Sequence, residues 1–321
     1  MMADVVIGID LGGTIVRAGA IDAGANLLTT NQTPIEAHQG PQAGLARIVS
    51  IIKKTISDCG NRNLVGIGIG CTGPLDPIRG TIQNPYTLPT WEDVPIVAPL
   101  VELFGVPVTL ENDADVAALG EYWAGAGKNV RRLYAITVGT GVGTAFIHDG
   151  QIYRGVGGAH PDGGHQIIDP AGPPCYCGAN GCWESLASGP AIAGQARAYL
   201  PDYPTSRVLT LAHGDANRID AQMVAHAALE SDPLGCSVME KTARYFSLGV
   251  VNIITLFVPE VIVLSGGVMQ SASLFMPAIE EAIAKHNIMV PASLVKILPA
   301  QLGYHAGLFG AAYTIFRKYL D

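Results

Sequence analysis

The sequence predicts an α/β protein. Short apolar, strand-like runs alternate with longer segments of helical periodicity, and no low-complexity linker interrupts them. Apolar residues make up 49% of 321 positions and charged residues 14%, so a sizeable core can be buried and the length suffices for two ordinary domains.

The strand candidates, in order, are Val5–Asp10, Ile15–Ile21, Leu64–Gly70, Val106–Glu111, Leu133–Val138, Gly143–His148 and Val261–Ser265. The helix candidates are Gly44–Cys59, Ala114–Ala124, Met239–Val258 and Ala306–Tyr319. Segments 71–90 and 155–182 are too rich in glycine and proline for regular elements and read as connections. Val5–Ile21 and Leu133–His148 share one plan, strand, glycine turn, strand, and one opens each half of the chain. That similarity suggests two related domains facing each other across a cleft; glycine-turn hairpins are also common on their own.

The formal net charge of −8 disfavours nucleic acid and anionic membranes, whose phosphates are bound by Lys and Arg. A small anion can still be held by backbone N–H groups. No basic, apolar leader precedes Val5, and the most apolar stretch, Phe246–Val258, is too short for a membrane span. Three of six cysteines fall within Cys175–Cys182, which reads as a local site rather than a disulfide framework. The expected location is a reducing cytoplasm.

Five motifs carry chemistry. In Asp10-Leu11-Gly12-Gly13-Thr14 the glycines let backbone N–H groups approach phosphate oxygens, and Thr14 adds a hydroxyl. Asp10 would repel a phosphate unless a cation intervenes, which suggests Mg²⁺. The alternative is a plain hairpin turn. Gly139-Thr140-Gly141 and Ser265-Gly266-Gly267 are two further glycine turns after strands, the second where nucleotides commonly sit. Gly127-Lys128 lacks the rest of a Walker A loop, and Gly68–Gly73 fits a dinucleotide fingerprint but is followed by Pro74 and Pro77 rather than a helix. Glu111-Asn112-Asp113-Ala114 joins a strand to a helix, so Asp113 either takes a proton from an attacking hydroxyl or merely caps the helix. Finally, His165, Cys175, Cys177 and Cys182 make a tetrahedral zinc set with no open position, hence structural.

Together these motifs resemble the ROK family of sugar kinases and related repressors, from about Val5 to about Tyr313. The resemblance implies an actin-like (ribonuclease H-like) fold of two α/β domains around a central cleft. Here it divides the chain into 1–116 plus 305–321 and 117–304, the latter with the zinc loop. It implies transfer of the γ-phosphate of ATP to a sugar hydroxyl, often at C6. By position, Asp113 matches the base. Asp10, Gly12, Gly13 and Thr14 match the first phosphate loop, Gly139, Thr140 and Gly141 the second, and Gly266 and Gly267 the segment covering the nucleotide. Asn112, His165 and Glu184 match sugar ligands, His165 also binding zinc.

The chain departs from the family pattern at Asp162, which replaces a glutamate and shortens the reach toward the sugar, and at Thr87, which stands where glucokinases tend to have asparagine. His160-Pro161 is similar to the fructokinase branch, the cysteine cluster to the glucokinase branch. Glucose is the leading substrate, with fructose, mannose, N-acetylhexosamines and cyclitols open. The family is often dimeric or tetrameric. Its repressors carry a helix-turn-helix before the first phosphate loop, for which no room is expected ahead of Asp10.

Overall fold

The computed structural model describes residues 3–320. The chain divides into two compact units: Met1–Arg131 with Ile147–Ile152 and Ala300–Asp321, and Arg132–Phe146 with Tyr153–Pro299.

The first unit is built on a five-stranded sheet of β1 (Asp4–Leu11), β2 (Ile15–Ile21), β3 (Leu27–Pro34), β4 (Asn63–Cys71) and β8 (Val108–Asn112), in the order β3-β2-β1-β4-β8. β1 pairs antiparallel with β2 and parallel with β4, and β4 pairs parallel with β8. β1 is covered on both faces, which is why it reads as a continuous apolar run. Ile7, Ile9 and Leu11 share a core with Ile48, Ile51 and Ile52 of α1 (Pro41–Asp58), whose apolar stripe follows helical spacing. On the other face Gly8 and Gly68 lie against the backbone of α10 (Ala306–Ile315), which also packs along α3 (Asp113–Ala124). α2 (Val97–Phe104) covers β8, and three short strands, β5 (Leu75–Asp76), β6 (Thr81–Ile82) and β7 (Val94–Pro95), form a small separate sheet.

The second unit repeats the plan. Its strands β9 (Arg132–Val138), β10 (Val142–His148), β12 (Val261–Ser265) and β13 (Lys296–Pro299) form a sheet of order β11-β10-β9-β12-β13, in which β11 (Gln151–Ile152) and the last two residues of β10 come from the Ile147–Ile152 segment counted with the first unit, and β12 is parallel to β9 and β13. In each sheet the strands stand in the order third, second, first, fourth, fifth, so the similarity of the two hairpins extends to whole-sheet topology. The helices are α4 (Trp183–Ala187), α5 (Gly189–Tyr199), α6 (Arg207–Leu211), α7 (Ala221–Leu229), α8 (Pro233–Phe257) and α9 (Met276–His286). α8 starts sharply because Asp232 accepts from Gly235 N–H at 2.9 Å and Pro233 is pre-set for the first helical turn. Its buried face carries Phe246, Val250 and Ile254 in the main core. Among the described residues no helix is long and apolar enough to cross a membrane.

The seam between α3 and α10 is the tightest contact in the first unit. A Cβ on Gly310 would collide with the Val116 carbonyl, and one on Gly120 with the Ala306 carbonyl. Gly310→Ala is therefore expected to destabilise by about 1–3 kcal/mol or more, since neither neighbour is a movable side-chain tip. Urea denaturation measures this, and an unchanged midpoint would show that the helices can move apart freely.

Candidate active site

In the first unit the end of β1, the end of β4 and the start of α3 bring carboxylates together. Asp10 and Arg17 face each other across the β1–β2 pair, with Arg17 Nη1 3.1 Å from Asp10 Oδ2. Burial pushes the Asp10 carboxyl up, against the lowering effect of Arg17. Asp113 is likewise pushed up, first by burial and then by the charges of Asp10 and Asp115, against the Ala114 N–H. Between them Cys71 is fully buried, and burial with both carboxylates raises its thiol so far that it stays neutral. Forming a second negative charge here is costly without a cation.

The helix cap falls to Asn112, not Asp113. Asn112 has extended backbone, its Oδ1 accepts from Ala114 N–H at 2.9 Å, and Asp113 is the first residue of α3. Asp113 also accepts from Ala114 N–H at 2.9 Å. The Asn112 amide nitrogen faces the turn at Gly73.

Gly12, Gly13 and Thr14 link β1 to β2, with Gly12 N–H donating to Ile15 O at 3.1 Å. Gly13 abuts the Thr87 backbone, where a side chain would not fit. Thr87 is held by Asn84, which is fully buried. Asn84 Nδ2 donates to Thr87 Oγ1 at 2.6 Å and to Thr72 O at 3.1 Å, and its Oδ1 accepts from Tyr86 and Thr87 N–H, both at 3.1 Å. One amide thus ties the segment beside the first glycine turn to the loop after β4. Sequence reasoning missed Asn84. The signal was Asn84-Pro85, a turn dipeptide, but its burial arises only in the fold.

In the second unit Glu184 sits in the first turn of α4. Trp183 beside it is fully buried against Phe246, ring centroids 5.2 Å apart, and against Gly249 of α8. That anchor aims Glu184 at the β9–β10 turn, where Glu184 Oε2 accepts from Val142 N–H at 2.9 Å and occupies the space a side chain on Gly141 would need. Gly139 N–H donates to Gly141 O at 2.9 Å, and Gly189 N–H at the start of α5 donates to Gly139 O at 2.8 Å. A cavity of about 700 Å³ opens beside Gly139 and Thr140, bounded by Gly189, Arg197, Asp220 and Gly267. Gly266 takes φ +92° against the Val138 carbonyl, a conformation that favours glycine, and Gly267 leads into a 3₁₀ segment, Val268–Leu274, rather than directly into an α-helix.

The ligand atoms of His165, Cys175, Cys177 and Cys182 all lie within 4.8 Å of one another. Cys175 Sγ is 3.5 Å from His165 Nδ1, and Cys177 Sγ is 3.5 Å from Cys182 Sγ. A tetrahedral zinc with these donors has S···N and S···S edges of about 3.6 and 3.8 Å, so the set fits the ion. The loop is shaped by backbone bonds, Cys175 N–H to Ala179 O at 2.8 Å and Trp183 N–H to Gln166 O at 2.9 Å. The second bond ties the segment after His165 to that after Cys182. Asp162 Oδ2 and Tyr176 Oη lie 3.6 and 3.1 Å from His165 Nε2. Burial, then the neighbouring Glu184, pushes the Tyr176 phenol up to about 12.

The structure therefore gathers Asp10, Gly12, Gly13, Asn112 and Asp113 in one unit. In the other it gathers Asp162, His165, Glu184 and the three thiols, with Gly139–Gly141 joined to them through Glu184.

Two α/β units of one topology, each with a glycine turn after its first strand, define an actin-like phosphotransferase scaffold. Residues 6–318 match the ROK family, and the chain belongs to that family. It is 30% identical to the glucokinase of Thermotoga maritima over 98% of both chains. It is similar to the crystal structure of a ROK glucokinase from Streptomyces griseus in complex with glucose and AMPPNP, with 30% identity, TM-score 0.75 and coverage of 96% of this chain and 98% of that one. It is also 25% identical to the xylose repressor of Bacillus subtilis, over 98% of this chain and 78% of the repressor. These findings bear out the resemblance drawn from the motifs, the actin-like fold and the reading of the chain as an ATP-dependent sugar kinase.

Proposed function

We propose that this chain transfers the γ-phosphoryl group of ATP to a hexose hydroxyl, the 6-OH of glucose or a closely related hexose, with Asp113 as general base. The observation that carries this is Asp113 itself. It is a part-buried carboxylate at the start of a helix whose cap duty Asn112 has taken, set beside Asp10 and raised toward the range in which a carboxylate accepts protons effectively. Glucose leads because the similar Streptomyces griseus structure is a glucose complex.

Phosphoryl transfer depends on positioning and charge neutralisation more than on covalent chemistry. Asp113 would accept the proton of the attacking hydroxyl. Asn112, Asp162, His165 and Glu184 would hold further hydroxyls. The N–H groups of Gly12–Thr14 and Gly139–Gly141 would bind phosphate oxygens, Gly266 and Gly267 would cover the nucleotide, and the cavity beside Thr140 has the volume for its nucleoside. Mg²⁺ near Asp10 would neutralise phosphate charge. Zinc on His165, Cys175, Cys177 and Cys182 would compensate the thiolates and fix the imidazole that faces the sugar. We place the protein in the cytoplasm as a homo-oligomer, acting on a small sugar and not on nucleic acid or membrane.

Asp113→Asn is expected to lower kcat by about 10²–10⁴-fold with modest loss of sugar binding. The base works ionised, so kcat/KM should fall as pH drops through the Asp113 pKa. Burial places that acidic limb above the ordinary aspartate value of about 3.9. A coupled assay of ADP release with Mg-ATP and a panel of hexoses checks both. Near-normal turnover by the variant removes Asp113 as base, while sugar binding without ADP release by the unaltered protein points to a sensor.

Metal analysis should find one zinc per chain, lost in Cys177→Ser. Chelation should lower thermal stability and sugar affinity together. Metal-free protein that binds hexose at full strength would refute the zinc assignment.

A further inference from the structure

Tyr176 stands between two thiol donors, and its hydroxyl turns inward although the residue is 83% exposed. The oxygen lies 3.1 Å from His165 Nε2, with the Glu184 carboxylate in the neighbourhood. Its ring meets the imidazole edge-on, centroids 5.1 Å apart at 87°.

The proton arrangement explains how the hydroxyl meets the imidazole. His165 Nδ1 faces the Cys175 sulfur at 3.5 Å and is the nitrogen a metal would take. The ring hydrogen then resides on Nε2, which donates to the phenol oxygen. An alcohol of a sugar makes the same acceptance at such an N–H. Glu184 is fixed by Val142 N–H and by buried Trp183, and His165 by the thiol cluster, so neither can turn away. Tyr176, with most of its surface in solvent, can.

We propose that Tyr176 is a latch: its phenol fills the place of a sugar hydroxyl in the free protein and must swing out before hexose binds, so that this residue sets sugar affinity. The inference rests on the kinase reading, in which His165 and Glu184 are sugar ligands. A sugar arriving at His165 replaces a bond already made rather than satisfying an open group, and its net gain is correspondingly smaller. Tyr176 is a positioning residue here, not a catalytic one.

The test is calorimetric titration of D-glucose into the zinc-loaded protein and into Tyr176→Phe, which keeps the ring and removes the hydroxyl. The expected result is binding tighter on the order of tenfold, with the gain in Kd and KM rather than in kcat. Hexose binding that is unchanged or weaker in the variant overturns the latch while leaving the kinase reading intact, since a phenol serving as a sugar ligand gives the opposite sign. Failure of both proteins to bind glucose or any other hexose overturns the kinase reading and the latch with it.

Discussion

The close approach of α10 to the central strands is the constraint on which the first unit depends. Gly8 and Gly68 let the helix backbone lie directly on β1 and β4, and Gly120 and Gly310 let α3 lie directly on α10. Two results follow. Asp10, at the end of β1, is pressed beside Gly307 near the start of α10, and Asp113 is fixed at the start of α3. The opposite end of α3 is tied by Glu121, which is buried and accepts from the N–H groups of Ala126, Gln301 and Leu302 at 2.8–3.1 Å. The two carboxylates are thereby held in mutual range despite the cost recorded in their raised pKa values. Such strain against stability is common where chemistry is done.

The second unit reaches the same end by other means. Its anchor is an indole rather than a glycine seam: Trp183 fills the hollow at Gly249 and so directs Glu184. Glu184 then reaches across to the next element, its carboxylate holding the Val142 N–H of the second glycine turn. One carboxylate thus joins the start of α4 to the second glycine turn.

Most of the buried architecture was legible in the sequence, because strands covered on both faces must be apolar. Ile15–Ile21 and Val261–Ser265 have the bounds that the pattern predicts. β3 was not legible: Leu27–Pro34 is an edge strand whose Thr29, Thr30, Asn31 and Gln32 carry no strong strand signal, and it is ordered by pairing with β2. α8 begins at Pro233, earlier than the apolar run suggests, because its start is set by an Asp-Pro cap. α5, α7 and α9 escaped notice for a related reason, as their short alanine-rich faces acquire meaning only against α8. The site motifs could be located in sequence because glycine, cysteine and aspartate are diagnostic there. Asn84 and Tyr176 could not, since each draws its role from partners fixed by folding.

Charge explains the form of the site. A chain of net charge −8 that handles an anion has to keep its own carboxylates from opposing it. Neither glycine turn contains a Lys or Arg, and in both the absent side chain gives room to something specific, the Thr87 backbone at Gly13 and the Glu184 carboxylate at Gly141. The N–H groups of such turns carry partial positive charge and cost little to order once the strands are formed. Arg17 places a fixed cation 3.1 Å from Asp10, and part of that aspartate's charge is neutralised before any ligand arrives. The arrangement favours a ligand that brings its own cation, because the remaining charge of Asp10 and Asp113 is attractive to a metal-bound phosphate and repulsive to a bare one.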